Sequence, residues 1–215
     1  RLGLRSCQIT YNERNRAGVG CRQEGDQGGL TDFGRALVER MNQVGMLVDL
    51  SHANMPTMAD TIARSKAPVI ISHTACDAVY PHVRNTTDAN LRALAEKGGV
   101  AGICQLRPFL TEKKKDNLHT FFDHIAHAVQ VCGVEHVAIG SDRDHRVIVM
   151  TPEYEAELRR EEGSQVTASE LPYFIDELNG PRRMEVVWDG LVGRGYGEAD
   201  VERIMGGNLL RLYRA

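Results

Sequence analysis

Long apolar runs are missing from this sequence, and so is an excess of charge of one sign. No stretch approaches the roughly 18 apolar residues that a membrane-spanning helix requires, so we expect no membrane span. The chain has 26 basic and 29 acidic residues, for a formal net charge of -3. Nucleic-acid-binding domains usually present a basic surface, so this balance argues against a nucleic-acid partner. We expect the short lysine run at 113–115 to be a solvated loop or helix start.

Closely spaced cysteine pairs are missing as well. The five cysteines are scattered, and none forms the Cys-x-x-Cys pattern that is typical of metal or redox sites. We interpret them as mostly buried thiols, and one disulfide, for example with Cys21, stays open. The compartment also stays open. With 42% hydrophobic residues over 215 positions, the composition predicts a soluble globular domain with a sizeable core.

Two apolar runs, at 46–50 and 68–71, are each followed by a Ser-His pair. Each run predicts a buried parallel strand, in which Asp49 is the one polar interruption. The histidines of the two pairs, His52 and His73, are 21 residues apart. That distance fits one strand, one helix and two short loops. We therefore expect the two imidazoles side by side at the carboxyl ends of neighbouring strands, where α/β folds place ligands and chemistry.

A third apolar run ends in the sequence VAIGSD and places Asp142 in the corresponding position. Imidazole and carboxylate groups are ligands that zinc accepts. Together, His52, His73 and Asp142 predict a zinc-type site at three strand ends.

Strand-like and helical segments alternate along the first two thirds of the chain. The predicted strands are 2–10, 46–50, 68–71, 100–106 and 136–141, and the predicted helices between them are 31–45, 54–65, 88–97 and 117–132. Long polar loops at 12–30 and 74–86 follow the first and third strands, a place where long loops often carry function. This alternation predicts a parallel α/β fold.

The segment at about 143–180 departs from the alternation, and we interpret it as an insertion that acts as a lid or as a partner surface. It contains a charged helix at 152–163. In the helical segment that follows, Trp188, Leu191 and Val192 are predicted to pack on the barrel wall. The helix at 117–132 carries three histidines that we expect on its solvated surface, namely His119, His124 and His127.

Five strands with ligand-type residues at their carboxyl ends fit a (β/α)8 TIM barrel. A complete barrel has eight strands and typically about 250 residues. We therefore predict that residues 1–215 form a single domain, the C-terminal part of such a barrel, with about three βα units before Arg1. A five-stranded arc alone would expose strand edges and apolar faces. Either the parent chain is longer or another polypeptide completes the fold.

The sequence resembles the membrane (renal) dipeptidase family of zinc peptidases, and its bacterial branch in particular. The matching pieces, in the order of the family, are GLTDFGRALVERMNQVGMLVDLSH, APVIISHT, LAEKGGVAGI, GVEHVAIGSD and IMGGNLLRLY. The pieces TYNERN, SDRDHR and LNGPRRME resemble bacterial variants. The resemblance implies a barrel of the metal-dependent hydrolase type with two zinc ions at its mouth, and a homodimer.

The resemblance also implies a role for each candidate residue. His52 and His73 would ligate the second zinc, and Asp142 would be the acidic residue near the bridging water. Arg84 would bind the free carboxylate of a dipeptide. Tyr11 falls where many members of the family carry a histidine that contacts the reacting carbonyl, and a phenol can still donate a hydrogen bond there.

One part of the family pattern does not occur in this chain. The first metal site of the family uses a His-x-Asp pair on strand one and a bridging glutamate. No His-x-Asp sequence occurs here. We therefore expect the chain to hold half of the metal site and to need a segment before Arg1 for the other half.

The resulting functional prediction is zinc-dependent hydrolysis of dipeptides by a metal-bridged hydroxide. Asp142 would act as general base and then as general acid. Two alternatives stay open. One is a related amidohydrolase that acts on N-acyl amino acids or lactams, and the other is an inactive, truncated half-barrel that serves as a folding or assembly partner.

Overall fold

A five-stranded parallel sheet forms the centre of the fold. The structure, a computed structural model, describes residues 3–143, 146–162 and 167–214. The strands, which lie in the sheet in the same order as in the chain, are β1 (Ser6–Gln8), β2 (Leu47–Asp49), β3 (Val69–Thr74), β4 (Val100–Cys104) and β5 (Val137–Ser141). Every neighbouring pair is parallel, so the predicted parallel α/β fold is confirmed. β1 is shorter than the predicted strand at 2–10.

Helices connect successive strands and continue after β5. They are α1 (Asp32–Gln43), α2 (Met55–Arg64), α3 (Asp88–Glu96), α4 (Arg107–Leu110), α5 (Leu118–Cys132), α6 (Pro152–Glu162), α7 (Arg183–Gly193), α8 (Glu198–Glu202) and α9 (Asn208–Arg214). The predicted caps are confirmed, since the Thr31 side chain accepts a hydrogen bond from the amide of Gly34 and the Asn54 side chain accepts one from Thr57. The sequence did not predict the one-turn helix α4.

Strand β3 is longer than predicted. It continues through Ser72 and His73 to Thr74, whereas the apolar run that predicted the strand ends at residue 71. The pairing to β4 resumes at Thr74 after a register shift that follows Ile71. His73 therefore lies at the carboxyl end of β3, as expected, although the strand extends three residues beyond the predicted apolar run.

Two glycines let the strands approach each other closely. A Cβ atom on Gly102 of β4 would lie 2.3 Å from the carbonyl oxygen of Ser72, and one on Gly140 of β5 would lie 2.6 Å from the same oxygen. Any side chain at either position would therefore collide with the backbone of β3. These glycines therefore allow the backbones of β3, β4 and β5 to approach closely at Ser72, next to the site residue His73.

The hydrophobic core lies between the sheet and the helices that cover it. Its buried members include Val48, Ile71 and Ile103 from the strands and Met58, Leu91, Phe121 and Ile125 from the helices. Leu191 is buried in this core and Trp188 packs against it, as predicted. Val192 is 50% exposed, so its predicted packing was wrong. It follows Leu191 by one position on α7, and adjacent helical positions do not face the same way.

The histidines of α5 do not share one environment. His119 is exposed as predicted, but His124 is fully buried. Its Nδ1 accepts a hydrogen bond from the amide of Cys76, and its Nε2 donates one to the carbonyl of Leu110. His127 is half-buried against Asp88, with 2.7 Å between Nε2 and Oδ1. The prediction of a solvated surface was therefore wrong for His124, which joins α5 to the loop that follows β3 and to the last residue of α4.

Three smaller predictions have clear outcomes. The lysine run at 113–115 is exposed in a loop. All five cysteines are free thiols, so a disulfide with Cys21 is not formed. Among the described residues, no helix is both long and apolar enough to cross a membrane.

Candidate active site

A cleft of about 540 Å³ opens at the carboxyl ends of the strands. All five residues that the sequence predicted as site residues line it, namely Tyr11, His52, His73, Arg84 and Asp142. The fold therefore brings together in one cleft positions that are spread over more than 130 residues of sequence. The ring centroids of His52 and His73 lie 5.1 Å apart, as expected for imidazoles at neighbouring strand ends.

The orientation of His73 is set by hydrogen bonds to β2 and β3. The hydroxyl of Ser72 donates to Oδ2 of Asp49 at 2.6 Å, and the same oxygen of Ser72 lies 2.8 Å from Nδ1 of His73. Because the single hydroxyl hydrogen goes to the carboxylate, Nδ1 of His73 is the donor to Ser72. The lone pair of the ring is therefore on Nε2, which is buried and has no hydrogen-bond partner in the described part of the chain. Burial lowers the pKa of His73, with Asp142 opposing, so the neutral form is favoured.

His52 presents the same nitrogen to the cleft. Its Nε2 lies 2.9 Å from a guanidinium nitrogen of Arg84, and its Nδ1 lies 2.8 Å from the side-chain oxygen of Asn12. Since a guanidinium only donates, Nε2 is the acceptor and Nδ1 donates to Asn12. Burial, followed by the charge of Arg84, lowers the pKa of His52 to about 2. His52 is held in a left-handed conformation with φ of 67°, and Tyr11 stacks on its ring at 4.2 Å.

Arg84 is almost completely buried in the loop after β3. Besides its contact with His52, its guanidinium carbon lies 5.2 Å from the ring centroid of Phe109. Its backbone carbonyl accepts a hydrogen bond from the Thr74 hydroxyl, and its amide donates to Nδ1 of His82. The loop therefore holds a cationic fork at the wall of the cleft, in contact with one of the two histidines.

Asp142 follows β5 directly and faces His73. The distance from Oδ2 of Asp142 to Nε2 of His73 is 4.0 Å, too long for a hydrogen bond. Asp142 and the preceding Ser141 both have positive φ values, of 61° and 54°. Non-glycine residues in the left-handed backbone conformation carry strain of about 1–3 kcal/mol each, and such strain is a common feature of functional sites. The strained turn aims the carboxylate into the cleft.

The donor set fits a metal ion through two imidazole nitrogens. Neutral histidines that donate their second ring nitrogen to another side chain are typical metal ligands. Both His52 and His73 have this arrangement, and Nε2 of His73 is a buried lone pair without a partner among the described residues. Within those residues, no group of three or more His, Cys, Asp or Glu side chains is arranged to hold a metal. The geometry agrees with half of a metal site.

The sequence did not predict several residues that shape this site. Asn12 and Ser72 orient the two histidines, and Asp49 was noted only as an interruption in a strand. A carboxylate in an otherwise apolar buried strand needs a hydrogen-bond partner, and this requirement could have indicated that Asp49 bonds to a neighbouring strand end. Arg22 and the residues of α6 that line the cleft come from distant segments, and their spacing gave no such signal.

A family model described as membrane dipeptidase (peptidase family M19) matches residues 1–153. The chain belongs to the membrane dipeptidase family. Dipeptidase verJ of Clonostachys rogersoniana is 33% identical over 213 residues, which are 99% of this chain and 48% of that protein. The chain spans about half the length of the curated relatives it matches. The resemblance found in the sequence is thus confirmed at the level of the family, which is one of metallopeptidases.

Solved structures confirm the fold class. An amidohydrolase from Pseudomonas aeruginosa matches with a TM-score of 0.85 and 28% identity, over 99% of this chain and 65% of that one. A metallopeptidase from Rhodobacter sphaeroides, solved with a phosphinate mimic of the dipeptide L-Ala-D-Ala, matches with a TM-score of 0.80 and 24% identity, over 99% of this chain and 56% of that one. The fold is the (β/α)8 TIM barrel of metal-dependent hydrolases, and the described residues of this chain supply five of its parallel strands.

Proposed function

We propose that this protein is a zinc dipeptidase. The observation that carries the proposal is the convergence, in one cleft, of two histidines that present Nε2, a strained aspartate and a buried arginine. Membership of the membrane dipeptidase family and similarity to a dipeptidase along nearly the whole chain support it.

His52 and His73 would hold the metal through their Nε2 atoms. A zinc ion bound there would polarise the scissile carbonyl and lower the pKa of a water molecule. In the two-zinc site that the family resemblance implies, these histidines would hold the second zinc. The other zinc would need further ligands, because the described residues contain no group of three or more His, Cys, Asp or Glu side chains arranged to hold a metal. Three features of the protein remain predictions. They are a single domain over residues 1–215 with an insertion at about 143–180, a segment before Arg1 that carries further ligands, and assembly as a homodimer.

Asp142 would move the proton. Its carboxylate lies near His73 and is 34% exposed, so it can reach a water molecule in the cleft. It would accept a proton from the attacking water and return it to the leaving amine, as a general base that becomes a general acid. Tyr11, which is stacked on His52, would donate its phenolic hydrogen to the carbonyl oxygen as negative charge develops there.

Arg84 would select substrates with a free C-terminus. Its planar fork matches a carboxylate in two parallel hydrogen bonds. In this structure the guanidinium donates to Nε2 of His52, the same lone pair that the metal would use. If His52 held a metal through Nε2, Arg84 would have to give up that contact, and its donors would be free to bind the substrate carboxylate.

A second candidate is a related amidohydrolase acting on N-acyl amino acids or lactams. The similarity to the Pseudomonas aeruginosa amidohydrolase favours it, because the same residues would perform the same proton transfers on a different amide. A third, an inactive half-barrel that assists folding or assembly, is consistent with the lack of a three-residue metal cluster among the described residues.

The deciding experiment uses the protein produced with the sequence that flanks residues 1–215 in its gene. It is loaded with zinc and assayed with a panel of dipeptides and with the matching N-acyl amino acids. We expect dipeptide hydrolysis that is lost on dialysis against a chelator and restored by zinc. Turnover of N-acyl amino acids alone would establish the second candidate. Absence of any turnover at full zinc occupancy would favour the inactive half-barrel.

A further inference from the structure

A segment after β5 covers the cleft, and we call residues 146–162 and 167–179 the roof. The roof residues that line the cleft are Arg146, Ile148, Tyr154, Glu157, Leu158 and Tyr173. Three of them are spaced i, i+3 and i+4 on α6, so one face of this helix looks into the cleft. Away from that face, Arg159 pairs with Glu155 at 2.7 Å.

A buried arginine anchors the base of the roof. Arg107 is 1% exposed, and its guanidinium donates to the carbonyls of Pro172 at 2.7 Å, Ser169 at 2.8 Å and Thr111 at 3.0 Å. Its backbone amide also donates to the carbonyl of Tyr173 at 2.8 Å. Several charge-assisted hydrogen bonds from one buried side chain fix the backbone at 169–173.

Two further contacts connect the roof with its surroundings. The side chain of Asn179 accepts from Arg143 and from the amide of Ile148, and donates to the carbonyl of Ile148. Arg22, from the loop after β1, forms a half-buried ion pair with Glu170 at 3.3 Å. The roof is thus anchored at its base, through Ile148, residues 169–173 and Asn179.

The charged side chains of the cleft differ in whether they have partners. Arg22 pairs with Glu170, Arg84 donates to His52, and Arg146 lies over the ring of Tyr154. Asp142 lies beside His73. In the part of the chain that the structure describes, Glu157 lines the cleft with no hydrogen-bond or ion-pair partner. Beside the cationic Arg146, the inner face of the roof therefore offers a carboxylate, unpaired among the described residues, to whatever occupies the cleft.

We propose that Glu157 is a specificity-determining residue that selects dipeptides with a cationic side chain, such as lysyl or arginyl dipeptides. The proposal rests on the proposed dipeptidase function, since Arg84 would fix the substrate carboxylate at the cleft wall and leave a side chain directed at the roof. Glu157 is partly buried where it lines the cleft. A carboxylate in such a position forms a stronger ion pair than one on an open surface. Tyr154 and Leu158 on the same face would contact the aliphatic stem of such a side chain.

The test compares lysine with norleucine, which has the same unbranched stem without the charge. For Lys-Ala against Nle-Ala, and for Ala-Lys against Ala-Nle, both kcat/KM and the Kd by calorimetry are measured on the zinc-loaded protein. We expect the lysyl peptide to be favoured about tenfold in at least one of the two pairs. Glu157→Gln should remove the preference, and Glu157→Lys should reverse it in favour of glutamyl peptides.

The matched control is Glu155→Gln on the same helix, which removes an acidic group outside the cleft and should keep the preference. Turnover with equal kcat/KM and equal Kd for lysyl and norleucyl peptides would overturn the role of Glu157 and leave the dipeptidase function intact. A Glu157-dependent binding preference without turnover would support the role and reject the dipeptidase function. Absence of both binding preference and turnover would overturn both.

Discussion

The hydroxyl oxygens of Ser51 and Ser72 lie 3.0 Å apart, and this contact joins the ends of β2 and β3 directly beneath the two candidate metal ligands. Ser51 also accepts a hydrogen bond from the backbone amide of His73, and Asp49 accepts from the amides of both serines. Each Ser-His pair thus supplies a cleft-lining imidazole and a hydroxyl that helps to hold the neighbouring strand in place.

Replacement of Ser72 by alanine tests whether this network orients His73. The variant loses the acceptor for Nδ1 of His73, so the ring is free to rotate and to change tautomer. We expect zinc affinity to fall by about 10–100-fold, measured by competition with a chelator of known affinity. His73→Ala should lose the metal altogether, and full zinc occupancy in that variant would reject its ligand role.

The control for this prediction is Ser65→Ala. Ser65 is as buried as Ser51 and makes hydrogen bonds with Asn42 and Ala67, but it does not line the cleft. Its loss should affect stability and leave zinc affinity unchanged. Equal zinc affinities of Ser72→Ala and Ser65→Ala would contradict the orienting role of Ser72.

Replacement of Arg84 by alanine tests the carboxylate-binding role. We expect KM for dipeptides to rise at least about tenfold with a smaller change in kcat, because two charge-assisted hydrogen bonds are lost. Zinc content should not fall, since the guanidinium no longer competes for Nε2 of His52. The wild type should discriminate strongly against dipeptide C-terminal amides and the variant should not. Unaltered dipeptide kinetics in the variant would exclude Arg84 from the substrate site.

Replacement of Arg107 by methionine tests how the roof is anchored. The variant keeps much of the side-chain volume but leaves at least three backbone carbonyls without their donor. We expect a loss of about 2–4 kcal/mol in the free energy of unfolding, measured by urea denaturation, and faster proteolysis near 167–173. Arg92→Met removes an exposed pair with Asp88 and should cost about 0.5 kcal/mol or less. Similar losses in both variants would show that Arg107 is not an anchor.

The buried His124 predicts a specific pH dependence of stability. Burial lowers its pKa in the folded state to about 4, against 6.5 for the free side chain. Between these values the unfolded chain binds a proton that the folded chain does not, so acidification favours unfolding. The contribution of the neutral, buried His124 to the free energy of unfolding is fully present above pH 6.5. It declines as the pH falls toward 4, by about 3 kcal/mol at most.

The measurement is the free energy of unfolding of the wild type and of His124→Gln across this range. Glutamine can still donate and accept hydrogen bonds but does not titrate, so the variant should lose part of the decline. His119→Gln, at an exposed position of the same helix, should keep the decline of the wild type. A decline of equal size in wild type and His124→Gln would contradict the assignment.

Local sequence signals predicted most of the fold because they act over short distances. Thr31 and Asn54 were recognised as helix caps because capping needs only a side-chain oxygen and an amide three residues later. Continuous apolar runs predicted buried parallel strands because both faces of such a sheet are covered. The same signals missed the full burial of His124, because helical periodicity does not tell which loops pack on a helix.

For the site, the sequence by itself determined which strand ends carry His52, His73 and Asp142, since chain order and βα spacing are enough to place strand ends at one edge of a sheet. The tertiary structure alone decided that Arg84 contacts His52, that Ser51 meets Ser72, and that Glu157 faces the cleft from the roof. Those relationships join segments separated by between 20 and more than 100 residues, and they depend on side-chain direction. The spacing of residues along a chain fixes the order of its elements, whereas the direction of a side chain is fixed by what packs around it.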